Sequence, residues 1–315
     1  MIRRTFNIIG RVLLALGVLV LLFAAYQLWG TGLAESHSQA TLRTKLEKEL
    51  PAGAAARAAR IAAEGSATTL PSGAAHVAAT TATPAVGQPV GIIQIPTIGV
   101  DQVLVQGVQT ADLQMGPGHY PGTPLPGQLG NVAIAGHRTT YGHPFFDLNE
   151  VTPGTKVVIT TSQGVFVYTA TAQTVVSPSD VTVLNASTTP ELTLTTCNPR
   201  YSASQRLVVK ARLTSSTLFG AAGQTGSTPT TTTTVPTDQQ LAGTGLAGGA
   251  ATNSAGRWVE SALMALATVA VGVGVWLLAR RVRHPWAIYL PGIVAVLVVL
   301  FFFFMVISPL LPASY

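Results

Sequence analysis

Cysteine is nearly absent. Cys197 stands alone in 315 residues, so the chain can make no internal disulfide, and chemistry becomes the leading reason to look at that thiol. Charge is scarce too: 10% of residues are charged against 48% hydrophobic, and the apolar ones pool at the two ends instead of spreading with globular periodicity. Between the ends, carboxylates are dispersed (Asp101, Asp112, Asp147, Glu150, Asp180, Glu191), which offers calcium no cluster and predicts no metal or other cofactor. The net charge of +6 gives no nucleic-acid signal. Arg3, Arg4, Arg11, Arg280, Arg281 and Arg283 account for it, because without these six the 18 basic residues fall to 12, matching the 12 acidic ones.

What the ends do contain is three apolar runs, Ile8 to Trp29, Trp258 to Ala279 and Trp286 to Ile307. Each is 22 residues, enough to cross a bilayer core of about 30 Å as helix. The first is longer than an ordinary signal-peptide core and lacks a clear small-x-small cleavage site after it, so it is read as an uncleaved anchor. Arg3, Arg4 and Arg11 flank this run, and Arg280, Arg281 and Arg283 fill the turn between the other two; both groups are expected on the cytoplasmic side. The long middle segment and the C-terminal tail are then extracellular, and the chain is a multi-pass protein of the cell membrane.

Composition divides the chain further. Residues 1–33 read as cytoplasmic N-terminus and anchor, and 34–87 as an Ala/Thr-rich extracellular linker with short helices at Thr41 to Leu50 and Ala54 to Glu64 but no core. Residues 88–214 read as the one folded domain, and 215–257 as a Thr/Gly/Ala-rich linker. Transmembrane helices at 258–279 and 286–307, a basic turn at 280–285 and a tail at 308–315 complete the division.

Within 88–214, β-branched runs are punctuated by turn residues. Gly91 to Ile95, Val103 to Val105, Val132 to Ala135, Lys156 to Thr161, Val165 to Val176, Leu192 to Thr196 and Arg206 to Leu213 read as strands. Ser162-Gln163-Gly164 marks a hairpin, Pro153-Gly154 a turn, and Asp112 to Met115 and Asp180 to Leu184 short helical turns. The expectation is an all-β domain of seven or eight strands, closed as a small barrel.

Cys197 ends the strand-like run Thr193-Leu194-Thr195-Thr196-Cys197, with Arg206 nine positions on. A cysteine attacks as thiolate, and a nearby imidazole supports that form and later protonates a leaving amine. Of six histidines, His37 and His76 fall in the linker and His284 in the cytoplasmic turn. His137 follows Val132-Ala133-Ile134-Ala135-Gly136, so a strand end can aim it, whereas His119 and His143 adjoin Pro/Gly-rich sequence and read as surface or loop-packing residues. A guanidinium can stabilise a developing oxyanion. Arg206 opens the last strand; Arg138, Arg200 and Arg212 are rivals on spacing alone.

These residues carry a family resemblance. Thr193-Leu194-Thr195-Thr196-Cys197 resembles the TLxTC signature of sortases, Ala135-Gly136-His137-Arg138 the segment that holds their histidine, and Arg206 the position of their arginine. Gly116 to Thr123, Gly142 to Phe146 and Arg206 to Val209 are similar to actinobacterial class E sortases. The resemblance implies a closed sortase barrel and a membrane-anchored cysteine transpeptidase. Cys197 would cleave a sorting motif between Thr and Gly through a thioester, with His137 protonating the departing amine and Arg206 holding substrate or oxyanion. It further implies LAxTG preferred over LPxTG, with Tyr120 and Thr196 as substrate-binding candidates. The implied partners are secreted proteins with C-terminal sorting signals, a peptidoglycan or lipid-linked precursor amine and membrane lipid.

Leu241-Ala242-Gly243-Thr244-Gly245 is itself an LAxTG pentapeptide, followed by an apolar span and a basic turn in the layout of a sorting signal. The 26 residues from Ser215 to Gln240 would span roughly 25 to 30 Å as flexible coil, so self-recognition is within reach. Two other classes stand beside the enzyme. A non-catalytic or autoinhibited sortase-like membrane scaffold that binds sorting signals is disfavoured by intact Cys197, His137 and Arg206. An L,D-transpeptidase is disfavoured because no Ser-His-Gly-Cys-like cluster surrounds the cysteine.

Overall fold

In the computed structural model, residues 2–54, 56, 60–61, 82–219, 254–281 and 286–307 are described. Two units emerge: residues 32–250 with the last two residues, and 1–31 with 251–313.

Alternation along the strands of the first unit decides which side chains fill a barrel. The strands are β1 (Pro89–Ile95), β2 (Val100–Gln106), β3 (Gly118–His119), β4 (Asn131–Ala135), β5 (Lys156–Thr160), β6 (Gly164–Val176), β7 (Glu191–Asn198) and β8 (Gln205–Leu218). They close in the order β1-β2-β3-β4-β7-β8-β6-β5. Pairs β2–β3 and β4–β7 are parallel, and the rest are antiparallel. Ile93, Leu104, Val132, Ile134, Ile159, Phe166, Leu192, Leu194 and Val209 share one buried core inside. Every second residue of β4, β7 and β8 therefore faces outward. Those outward residues form the floor on which the site is built.

The expected all-β barrel is present with eight strands, and the hairpin across Ser162 to Gly164 pairs Thr160 with Val165. The expected helical turns are a single turn at Thr110–Leu113 and a 3-10 turn at Val181–Leu184. The strand that sequence patterning misses is β3. Its two residues lie among prolines and glycines, too few to show a period, yet they bridge β2 to β4.

The stretch read as a linker without a core needs correction at its start. Helix α2 (Thr31–Glu49) follows helix α1 (Ile2–Ala25) and a π-helical turn (Tyr26–Gly30) in the chain. On α2, Leu42 and Leu46 bury against Ile92, Val103 and Val105 of β1 and β2. Gln39 hydrogen-bonds like an added strand: its Oε1 accepts from the Val103 amide at 2.7 Å, and its Nε2 donates to the Val103 and Met115 carbonyls at 3.0 and 2.7 Å. Arg43 pairs with Asp101 at 2.8 Å. This helix is part of the barrel's packing.

The second unit is helical. After α1 it contains α3 (Ser254–Arg281) and α4 (Trp286–Ile307), with Pro291 inside α4. Among the described residues one helix, Trp258–Arg281, is long and apolar enough to cross a membrane, with mean hydropathy 2.2, and a shorter apolar helix runs Pro291–Ile307. Leu263, Leu266, Val269 and Leu278 of α3 are exposed, the reverse of a soluble core helix. Tyr26 packs with Leu300 and Phe304. The LAGTG pentapeptide at 241–245 lies outside the described residues.

Candidate active site

Cys197 and Arg206 are direct antiparallel partners across β7 and β8. Partners in such a ladder project to the same face, so thiol and guanidinium share the outer floor. Three residues before Cys197, Leu194 pairs in parallel with Ile134 of β4, and Ala135 pairs with Thr195. That register brings the end of β4 beside the end of β7, and His137 is two residues past it. The Gly136 amide donates to the Thr195 carbonyl at 3.1 Å, and the Thr196 hydroxyl donates to the Gly136 carbonyl at 2.8 Å. Thr196 was expected to bind substrate. Alternation turns it away from Cys197, and at 3% exposure its hydroxyl is committed to the segment before His137.

The loop after His137 is tightly held. The Phe145 amide donates to the His137 carbonyl at 3.1 Å, and the Phe145 ring lies so close to Gly136 that a Cβ there would meet it at 2.6 Å. Tyr141, Gly142 and His143 take φ of 49°, 69° and 38°, three successive left-handed residues of which two have side chains. Such backbone persists only where its surroundings over-determine it. The Tyr141 ring lies 5.1 Å from that of His137, tilted by 36°.

Arg138, a rival on spacing alone, has a different task. Its guanidinium donates to the Cys197 carbonyl at 3.0 Å, to Asn198 Oδ1 at 2.7 Å and to Asn149 Oδ1 at 2.9 Å. It clamps the end of β7 from behind. Arg200 lies over the Phe146 ring at 4.2 Å and pairs with Asp147 at 2.6 Å, while Arg212 pairs with Glu191 at 3.7 Å. Arg206 donates to the Ala203 and Gln205 carbonyls, both at 2.9 Å, which pins its guanidinium with 4% of the residue exposed.

Electrostatics follow from this burial. The Cys197 thiol is pushed up by burial, and Arg206 and then Arg138 pull it back down. Burial lowers the His137 imidazole to about 4. The residue is half-buried as a whole, but its Nε2 is fully enclosed and has no hydrogen-bond partner. A buried polar atom left so costs about 1–3 kcal/mol.

Tyr120, 2% exposed, packs with Val108, Leu113, Ala133, Ala135 and Leu184 beside the floor. Its hydroxyl is 3.4 Å from Thr195 Oγ1; burial raises its phenol, while Thr195 and Arg206 lower it and Cys197 raises it. Tyr120 thus adjoins Thr195, on the floor that also carries Cys197 and Arg206.

His119, expected at the surface or packing in a loop, is wholly buried on β3. Its ring nitrogens contact Gln106 Oε1 at 2.9 Å and the Pro124 carbonyl at 2.8 Å, so polar partners at both edges carry it into the interior. His143 is exposed against Phe146. A depression of about 250 Å³ lined by Asp101, Gln102, His143, Phe146 and Asp147 includes none of Cys197, His137 and Arg206. Among the described residues no three His, Cys, Asp or Glu converge as metal ligands.

A sortase domain family matches residues 93–214. The chain is 30% identical over 222 residues to Sortase SrtE1 of Streptomyces coelicolor, covering 65% of this chain and 56% of that one. It is 32% identical over 117 residues to Sortase D of Bacillus subtilis, covering 37% and 58%. YwpE of Bacillus subtilis, which bears a sortase's name, matches at 30% over 106 residues, 33% of this chain and 92% of that one. A solved structure of sortase E from Streptomyces avermitilis matches at 35% identity, covering 45% of this chain and 97% of that one, with a TM-score of 0.40. The chain thus spans just over half the length of the first curated relatives it matches, 56% and 58%.

Proposed function

Because the chain belongs to the sortase family, we propose that its barrel is a class E-type cysteine transpeptidase in which Cys197, His137 and Arg206 carry the chemistry. The observation that supports this most is the register that sets Cys197 opposite Arg206, with the enclosed, unpartnered His137 Nε2 on the neighbouring strand's exit.

In this reading the Cys197 thiol gives its proton to His137 as the sulfur attacks the Thr carbonyl of a sorting peptide. The resulting oxyanion meets the fixed Arg206 guanidinium. Collapse breaks the Thr–Gly bond, and the imidazolium returns its proton to the departing glycine amine, leaving a thioester. An amine of cell-wall precursor then attacks the thioester, losing a proton to His137 while sulfur leaves and is reprotonated. Water in that place would give hydrolysis instead.

The likeness to Sortase SrtE1 supports the class and, with it, LAxTG as the preferred motif over LPxTG. Tyr120 stands over the small floor residues Ala133 and Ala135 and is assigned to the second position of the motif. Thr196 acts through the Gly136 carbonyl, as a positioning residue for His137. The substrates are secreted proteins with C-terminal sorting signals.

Helices α1, α3 and α4 are assigned to the cell membrane, with the barrel outside and the arginines at both ends of the chain inside. The exposed apolar surface of α3 and the Arg280 guanidinium 3.7 Å from the Trp276 ring suit a span ending at an interface. The catalytic domain then begins at α2 rather than near residue 88. LAGTG at 241–245 is assigned as an internal pseudo-substrate. Thr244→Ala should change either turnover of an added LAxTG peptide or the mass of the membrane-extracted protein, and no change in both would remove that assignment.

The test of the function is to incubate the detergent-extracted full chain, parent and Cys197→Ala, with LAxTG and LPxTG peptides and an amine acceptor. Cys197-dependent cleavage between Thr and Gly, faster for LAxTG, with the amine joined to Thr, is expected. Cleavage that survives Cys197→Ala, or none from the folded parent, would overturn the reading.

A further inference from the structure

The floor that bears Cys197 and Arg206 also contains a half-buried cation that the chemistry above does not use. Lys210 of β8 is the direct partner of Thr193 of β7, on the same face as the Cys197–Arg206 pair but four residues away along each strand. Its Nζ donates to Thr193 Oγ1 at 2.7 Å and to the Val183 carbonyl. The Thr193 hydroxyl donates to Asn131 Oδ1 at 2.6 Å, and Asn131 Nδ2 donates to the carbonyls of Val183 and Asn185, both at 3.0 Å. Asn131 and Thr193 are 1% and 0% exposed. Three side chains from three adjacent strands thus converge on the end of one short turn. Burial lowers the Lys210 ammonium, and Glu191 opposes that shift.

The turn they grip is Val181–Leu184, within the connection from β6 to β7, much of which is exposed. At its start Asp180 caps it by accepting from the Thr182 amide at 3.1 Å. At its end the Lys210, Asn131 and Thr193 group does the holding. The turn in turn presents Leu184 to Tyr120, Ala133 and Ala135, so it forms one apolar wall along the floor. Thr193 lies four residue steps along β7 from Cys197, about 13 Å at 3.3 Å per residue. An extended peptide whose Thr carbonyl lies at Cys197, running back along the floor toward Thr193, would have its first motif residue three positions upstream, about 10 Å away, beside this wall.

We propose that Lys210 is a positioning residue, which with Asn131 and Thr193 fixes the Val181–Leu184 turn as the wall receiving the apolar first residue of the sorting peptide. This rests on the transpeptidase reading and adds that binding of the peptide's far end is governed by a cation remote from the reacting atoms. Removing it loosens the wall and leaves the chemical step intact.

The experiment compares full-length parent, Lys210→Met and Lys210→Arg in detergent, with the LAxTG peptide and with its first Leu replaced by Ala. Lys210→Met should raise KM about tenfold, the loss of one charged hydrogen bond, with kcat nearly unchanged. Lys210→Arg, which keeps donors, should recover most of that. The penalty for replacing Leu should shrink in Lys210→Met, and the rate of Cys197 alkylation by iodoacetamide should equal the parent's. If Lys210→Met does not accumulate folded, Asn131→Ser, which removes the side-chain amide that donates to the Val183 and Asn185 carbonyls, carries the same expectation. A loss in kcat at constant KM, or an undiminished penalty for replacing Leu, overturns the role of Lys210 alone. Failure of the parent to cleave in a Cys197-dependent way sinks the transpeptidase reading and this role with it.

Discussion

Cys197 and Arg206 face each other across one rung of the β7–β8 ladder, and the guanidinium, pinned by the carbonyls of Ala203 and Gln205, opposes the effect of burial on the thiol. Two tasks therefore fall on one charge. It partly offsets the burial that holds the thiol neutral, and in the proposed reaction it stands where negative charge develops during acyl transfer. Arg206→Ala should lower kcat/KM by about a hundredfold or more and slow iodoacetamide alkylation of Cys197 at fixed pH. Arg206→Lys should restore alkylation better than turnover, because a point charge lacks the fork that two carbonyls hold in place. Equal recovery of both would show that charge alone suffices.

Burial sets the resting protonation of the pair. His137 is lowered to about 4 and Cys197 is raised, so at neutral pH the free protein holds neutral imidazole beside neutral thiol. Alkylation of Cys197 should therefore keep rising with pH past neutrality, without a plateau near pH 7, and the His137 ring proton resonances should not titrate above pH 5.5. A His137 titration near the ordinary value of about 6.5 would contradict the burial argument.

Glu35 on α2 makes a separate pH prediction. Burial raises its carboxyl to about 7, its Oε1 has no hydrogen-bond partner, and a Cβ on Gly142 would meet its Oε2 at 2.5 Å. The folded state thus binds a proton that the unfolded chain has released by about pH 4.5. Glu35's contribution to stability is full below that value and is lost as pH rises toward 7. Glu35→Gln stays neutral throughout. Its melting temperature relative to the parent should climb between pH 4.5 and 7 and level off above. A pH-independent difference would mean that Glu35 is not buried as described.

Docking of α2 gives a stability test. Gln39→Ala removes three hydrogen bonds, two to Val103 of β2 and one to Met115 in the connection from β2 to β3, and leaves the Val103 amide without that partner, so a loss of about 1–3 kcal/mol is expected by denaturant unfolding. Exposed Thr41, on the same helix, serves as control, with Thr41→Ala near neutral. Equal effects would argue that α2 rests on the barrel without specific contacts.

How far such features could be read from sequence depends on what encodes them. The long strands announce themselves through β-branched alternation, and Cys197 and Arg206 through their placement at the end of one such run and the start of the next. Helix α2 shows why an apolar pattern was insufficient. Its inward stripe is Glu35, Gln39, Leu42 and Leu46, correctly spaced for a helix face but half polar, so hydrophobicity marks only its second half. His119 and Lys210 were opaque for a related reason. Both are polar residues whose burial depends on partners that the fold brings to them, Gln106 and Pro124 for one, Thr193 and Val183 for the other. Thr196 is the opposite case. Its motif was visible, but which face of β7 it takes follows only from register.

The most direct measurement of the central claim is the intact mass of the full chain, quenched in acid within its first turnover on an LAxTG peptide without acceptor amine. A mass increase equal to the peptide fragment ending in Thr less one water, mapped to Cys197, reversed by hydroxylamine and absent from Cys197→Ala, is predicted. Cleavage of the peptide with no adduct on Cys197, or an adduct on another residue, would contradict the account.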